Sequence, residues 1–513
     1  MKKTFTLILC FLLTVSLFGC SAEGDYVPTG NALYQEGQQE TEPEDATGKY
    51  LVLSYYPEVS LNPYTCNNYT NRVLFTLIYQ GLFATDRNYQ STPILCKEYT
   101  MSTDMRTYTF YLETATFSDG TKVTPEDVLA SYEAAKKGKY YSGRFSHVRK
   151  VELTEDGGIT FSLDTAMDSL PLLLDFPIVK ADQVGEAQPI GTGPYVYEHF
   201  STGMRLRRRG DWWCTSPDLM IKATSIPLRE VDSVIGVRDA FEFSDVSLAL
   251  SDPCSDAYAE YRSDYELWDC ENGVMLYLGC NMDSRVFSNE TMRAAMTYVV
   301  DRQAIADTYY RGFSQPASLA ASPSSPYYNT TLAQRYTFDK QKLAEAVVTV
   351  GITGREIQFL VNKDDTLRLK VAREIAKTIT ECGLTVTMVE VSNNLYHEKL
   401  KYGVYDIYLG QTRLSPNMDL SPFFRGMGGL HYGNIADSTL YALCQQSLAN
   451  IGNYYNLHQK LAEDGRIVPI LFHRYNVHAT RGLLTGLAPA RDNVFFYSLG
   501  KSMNEVLKES VSD

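Results

Sequence analysis

Between Asp339 and Asp419 the chain alternates helix and strand signals at spacings that few folds accommodate. A helical pattern runs from Asp339 to Gly351, an apolar strand from Glu356 to Val361, and a second helix from Thr366 to Cys382, stopped by Gly383. A strand from Leu384 to Val391, a short helix and a strand from Tyr405 to Leu409 follow. Strands that alternate with helices of this length are joined by crossovers and lie parallel in one α/β sheet, whose ligand crevices open at the strand carboxyl ends. The loop from Gly410 to Asp419 leaves such an end.

The rest of the chain is read in shorter pieces. Met292, Ala295, Met296, Val299 and Val300 fall at helical spacing, and Asp301 is placed to cap a following helix that ends near Gly312. Toward the N-terminus the pattern predicts strands at Tyr50–Tyr55, Thr107–Leu112 and Ile159–Leu163, and a helix from Asn71 to Leu82. Thr124-Pro-Glu-Asp127 reads as a capping box with proline at the first helical position. Gly191-Thr-Gly-Pro-Tyr195 is no phosphate loop, because Pro194 has no N–H to donate and the residues from Tyr195 to Phe200 alternate as a strand does. This corner feeds a strand. At 513 residues the chain should divide into two or three structural units.

The N-terminus predicts export. Lys2 and Lys3 precede an uncharged apolar run of about 16 residues, short of the roughly 20 that a membrane-spanning helix needs. The run ends in Leu17-Phe-Gly-Cys20, which resembles the bacterial lipoprotein box; residues 1–19 are then a signal peptide and Cys20 the site of lipidation. Residues 20–48 are polar, hold several Gly and Pro and carry the acidic run from Glu40 to Asp45, a composition suited to a flexible tether. The formal charge is −14, and −16 without Lys2 and Lys3; with no Lys/Arg stripe, nucleic acid is not an expected partner. Eight cysteines from Cys66 to Cys444 form no CxxC pair, and buried thiols are expected for most. No HExxH, GxSxG or EF-hand spacing occurs, and the seven histidines are scattered, so no catalytic residue, metal site or cofactor is assigned.

Several stretches resemble one family. Phe117-Ser-Asp-Gly with Val123-Thr-Pro-Glu-Asp-Val128, then Pro189-Ile-Gly-Thr-Gly-Pro-Tyr195, are similar to signatures of the family 5 solute-binding proteins, the oligopeptide, dipeptide and nickel receptors of ABC importers. Asn281, Arg293-Ala-Ala and Val300-Asp-Arg302 with Gly312 follow in the family's order. The resemblance implies an α/β, two-lobe periplasmic-binding-protein-like (type II) fold with an extra subdomain inserted in the first lobe. Lobe I is placed at 49–62, 189–270 and 488–513, the inserted subdomain at 63–188 and lobe II at 271–487, with crossings near Leu267–Val274 and Gly486–Asn493. It further implies a monomer on the extracellular face of the cell membrane that captures a peptide or small molecule and passes it to permease and ATPase subunits. A sensor or adhesive lipoprotein is the alternative, and a secreted hydrolase a third. In peptide-binding relatives the loop after the lobe II strand carries a tryptophan and an ammonium-pairing aspartate; here Gly410-Gln411 and Ser415-Pro416 stand there, and Asp419 matches a later acidic residue. Candidate ligand contacts are Gln411, Arg413, which could take a carboxylate, Asp419, and Tyr56 and Tyr69 from lobe I. The competing reading has Arg413 and Asp419 pair with each other or face water.

Overall fold

Two strands far longer than the rest, Glu266–Cys280 and Ile467–Ala479, lie side by side and antiparallel. They belong to a computed structural model that describes residues 51–201, 203–214, 223–484 and 487–496, all within the unit Thr41–Asp513. The leader, Cys20, the tether, Gly486 and the residues beyond 496 lie outside the described residues.

The long pair sits inside a seven-stranded sheet. From one edge the order is Leu248–Ser251, Ile467–Ala479, Glu266–Cys280, Ile407–Arg413, Glu356–Asn362 and Thr385–Val391, with Gln315–Pro316 paired to the second of these. The three strands of the alternating region are parallel to one another, as expected, but the two long strands run antiparallel to their neighbours, so the sheet is mixed. Sequence patterning gave no strand at Glu266–Cys280 because successive residues serve two cores. Leu276 and Leu278 pack with Ile357, Phe359 and Ile375 on one face, while Met275 and Tyr277 pack with Leu360, Phe423 and Leu440 on the other. A strand buried on both faces shows a continuous apolar run, not an alternation.

Around this sheet the local signals hold. The helix Pro125–Lys137 starts at a reciprocal box in which the Thr124 N–H donates to Asp127 at 2.8 Å. Asp339 and Asp365 cap the helices Lys340–Val350 and Thr366–Glu381, and Asp301 caps Arg302–Tyr309. A four-stranded antiparallel sheet contains Thr107–Leu112 and Ile159–Leu163, and another holds Leu53–Tyr55, Ser225–Glu230, Gly203–Arg208 and Tyr195–Phe200. The described cysteines, Cys66 to Cys444, are all buried thiols.

Several boundaries differ from the sequence reading: the strand expected from Tyr50 begins at Leu53, and the helix through Met292 ends at Met296, short of Val299 and Val300. The strand expected to stop at Leu409 runs to Arg413, because its ladder with Val274–Cys280 continues to Arg413 opposite Val274 and gives Gly410–Arg413 backbone partners. The helix expected at Asn71–Leu82 is two short ones, Tyr69–Val73 and Phe75–Ile78. The second ends where the Ile78 carbonyl is taken by the Gly193 N–H at 2.8 Å. A side chain at Gly191 or Gly193 would overlap the Ile78 carbonyl. The glycine corner therefore fastens a strand entry against a helix end. Its Thr192 carbonyl accepts from Trp212 Nε1 at 2.9 Å, and its Gly191 carbonyl accepts from the Ser118 N–H at 3.1 Å.

Candidate functional site

The carboxyl end of the strand Ile407–Arg413 delivers Arg413 into a group of aromatic and charged side chains drawn from four parts of the chain. Arg413 Nε donates to the Asn272 carbonyl at 3.0 Å, Nη2 donates to the Tyr140 hydroxyl at 2.7 Å, and the guanidinium pairs with Asp492. Its Cζ lies 4.0 Å from the centre of the Tyr140 ring, and Arg72 Cζ lies 3.4 Å from the same ring. Tyr69 stands beside them, stacked at 6.5 Å on Tyr475.

Asp492 is the hub. It sits in the turn between Ala488–Pro489 and Val494–Phe495, with its side chain 3% exposed. Besides Arg413 it accepts from Arg144 Nη2 at 2.7 Å and Arg491 Nη1 at 3.1 Å, and Arg144 also pairs with Asp175. Burial opposes the Asp492 charge, but Arg144, Arg491 and Arg413 outweigh it and hold the carboxyl below the usual range. Arg491 reaches the Leu414 carbonyl and lies against Gly273, where a Cβ would collide with its guanidinium. Gly273 also has φ +79°, and the ladder between the long strands shifts register between Glu271 and Met275, so this glycine marks a bulge in the strand Glu266–Cys280. A cavity of about 10 Å³, room for about one water, opens among Tyr69, Arg72, Leu250, Tyr475, Arg491 and Asp492.

Asp419 is placed elsewhere. Ser421 N donates to its Oδ1 at 2.8 Å, and Ser421 Oγ to its Oδ2 at 2.9 Å. His147 Nε2 lies 3.2 Å from the same Oδ2 and 2.9 Å from Ser421 Oγ, while its Nδ1 lies 2.8 Å from Asp164. Burial disfavours protonation of His147, yet the hydrogen bonds and charges of Asp419 and Asp164 raise its pKa overall. Burial likewise opposes the charge on Asp419, and His147 lowers its pKa. The neighbouring contacts bridge the same two regions: Asn417 Nδ2 donates to Ser169 Oγ at 3.3 Å and the Asp168 N–H to the Leu448 carbonyl at 3.1 Å.

The structure therefore brings Tyr69 and Arg413 together and sets the other candidates apart. Gln411 is exposed on the strand opposite Leu276. Tyr56 packs with Val231, Phe241 and Tyr261, its N–H donating to Asn71 Oδ1 at 2.7 Å. Arg413 and Asp419 do not pair; Arg413 pairs with Asp492, and Asp419 with His147 and Ser421. Sequence reading missed Arg72, Tyr140, Arg144, Arg491 and Asp492. Only Arg72 carried a local signal, as a charged residue within an otherwise apolar helical stretch. A larger depression, about 720 Å³, lies among residues such as Asp283, Glu356 and Asp406, at the amino ends of the parallel strands. It is the wrong end for the crevice such sheets form, and it lacks the arginine and tyrosine grouping.

The family model for bacterial extracellular solute-binding proteins, family 5, matches residues 90–430. The chain is 23% identical over 308 residues to the glutathione-binding protein GsiB of Salmonella choleraesuis, a match covering 57% of this chain and 59% of that one. Among solved structures, the ABC transporter substrate-binding protein CtaP of Listeria monocytogenes superposes with a TM-score of 0.70 at 20% identity, over 88% of this chain and 98% of that one. The oligopeptide-binding protein AppA of Bacillus subtilis, in complex with a nonapeptide, gives 0.60 at 17% identity, over 86% and 97%. At these identities the likeness establishes the fold, the two-lobe type II arrangement with its inserted subdomain.

Proposed function

The chain belongs to the family 5 bacterial extracellular solute-binding proteins of ABC importers, and from that premise we propose that it is a receptor held by lipid on Cys20 at the outer face of the cell membrane. It works as a monomer, captures a peptide-like solute between its lobes and hands it to the permease and ATPase subunits. Among the described residues no helix is long and apolar enough to cross a membrane.

One observation carries the reading. Arg413 lies in the segment assigned to lobe II, Tyr140 and Arg144 in the inserted subdomain, and Asp492 in the returning segment of lobe I, and all four converge at one strand carboxyl end. A solute seated there touches every part at once, so it binds the closed form better and shifts the population toward it. The two long strands, with the bulge at Gly273, supply the hinge. GsiB binds glutathione and AppA a nonapeptide, by their names and complexes; a solute of that chemical kind enters among the tyrosine and arginine side chains only as the lobes part, since the arrangement described leaves room for about one water. The test is small-angle scattering of the protein stripped of solute and then resaturated with the compound that copurifies, identified by mass spectrometry. Compaction on resaturation is expected; superimposable curves at saturation refute hinge closure.

A further inference from the structure

The hairpin of Phe83–Thr85 with Ser91–Pro93 carries a turn, residues 86–90, that holds its own shape. Asp86 Oδ1 accepts from the N–H groups of Asn88 and Gln90, each at 2.8 Å, and the Asp86 carbonyl accepts from the Tyr89 N–H at 3.2 Å. At the tip, Tyr89 has φ +62°, a left-handed conformation that suits glycine and that a bulky residue keeps only where its surroundings hold it. Those surroundings lie outside the hairpin. Tyr89 is 4% exposed, shares a core cluster with Met275 and Leu360, and meets the Tyr327 ring edge-on at 6.4 Å. Its hydroxyl donates to Glu271 Oε2, while Glu271 Oε1 accepts from the Gly273 N–H at the bulge of the long strand. Arg87 Nη2 adds a bond to the Asp269 carbonyl at 3.4 Å.

We propose that the Tyr89 turn is a latch: it seats on Glu271 and Tyr327 as the lobes close, and it must leave them before a captured solute escapes. This rests on the reading of the chain as a two-lobe receptor and names what sets the residence time of its solute. The hairpin lies in the stretch assigned to the inserted subdomain, while Met275, Tyr327 and Leu360 lie in the stretch assigned to lobe II, so parting the lobes draws the ring out of its socket. Undocking also takes from Glu271, itself 3% exposed, the donor on its Oε2. A turn shaped by its own bonds loses little freedom when it docks again. Because a solute passes only with the lobes apart, contacts that hold them together act on release more than on capture.

The probe is the compound released from the purified full chain by gentle denaturation and identified by mass spectrometry, or glutathione and trialanine where none is released. Its association and dissociation rates are measured by stopped-flow fluorescence on wild type, Tyr89→Phe and Tyr89→Gly. The latch expects release about tenfold faster from Tyr89→Phe, which keeps the ring and loses the hydroxyl, and about a hundredfold faster from Tyr89→Gly, with association within about twofold of wild type. It also expects no fall in the melting temperature of either variant when stripped of solute, because the latch is undocked in the open form. Glycine is at ease at φ +62°, so Tyr89→Gly keeps the turn. Unchanged release rates, or a stripped Tyr89→Phe that melts below wild type as the loss of a merely structural contact requires, overturn the latch and leave solute capture standing. If none of the probes binds wild type, the capture reading falls and the latch with it.

Discussion

The chain around the end of the strand Ile407–Arg413 makes two polar attachments to the stretch from Tyr140 to His147, at Arg413 and at Asp419, and they are built on opposite plans. At Asp419 supply and demand match: both carboxylate oxygens are engaged, and both His147 nitrogens have partners. At Arg413 they do not, and Nε atoms of two neighbouring arginines stay without acceptors. A satisfied buried network fixes geometry, whereas an unsatisfied one invites a ligand to complete it. The first attachment is thus a clasp and the second is the one proposed to receive the solute, although both lie in one short stretch of chain.

The largest effect tests the hub. Asp492→Asn keeps the shape of the side chain but removes the charge shared by Arg144, Arg413 and Arg491, leaving buried guanidiniums uncompensated. The expected loss is about 3–5 kcal/mol of folding stability, read by denaturant titration of solute-free protein. A loss below about 1 kcal/mol would mean that the cluster is already balanced without Asp492, and the contrast between the two attachments would collapse.

Next comes solute affinity. Arg413→Ala is expected to weaken binding of the copurifying solute by about 2–5 kcal/mol, and Asp419→Ala by less, since Asp419 is sequestered by Ser421 and His147. Calorimetry on both variants decides between them. A greater loss for Asp419→Ala would make the clasp the recognition site and restore an ammonium-binding role for that carboxylate.

What could be read in advance follows from how local each feature is. The Thr124–Asp127 box, the Asp301 cap and the strand Glu356–Asn362 are written within a few consecutive residues, and they stand where the pattern put them. The strand Glu266–Cys280 was invisible because its two faces feed separate cores, which erases the alternation. Arg413 was legible as a charge at a strand end. Its partners were not: Arg72, Tyr140, Arg144, Arg491 and Asp492 are scattered along the sequence, and only the closing of the fold makes them neighbours. The Asp419–His147 pair was hidden for the same reason, and a search for motifs could see in His147 only one more isolated histidine.

The smallest effect is the pH response of the clasp. His147 has its pKa raised above 6.5 by Asp419 and Asp164 against the opposing effect of burial, so its contribution is fully present below about pH 6.5 and fades as pH rises through the raised value. Asp419 is lowered from 3.8, so its own contribution is present above that value and fades as pH falls through the lowered one. The pair is strongest between these limits. Arg425 lies 4.0 Å from Asp164, and burial together with the charge of Asp419 pushes the Cys444 thiol well above 9, out of the window. Three other buried histidines act in the opposite sense. Burial lowers His458 and His478 to about 4 and His473 to about 3, so they favour the folded state above pH 6.5 and weaken it as pH falls. Wild type alone therefore mixes two trends, and the difference between wild type and His147→Gln isolates the clasp. That difference should amount to about 1–3 kcal/mol near pH 5.5 and shrink steadily toward pH 9, measured by urea melts at each pH. A difference that stays constant across the range would mean that His147 holds Asp419 as a neutral hydrogen-bond partner, leaving the clasp without the charge that the geometry gives it.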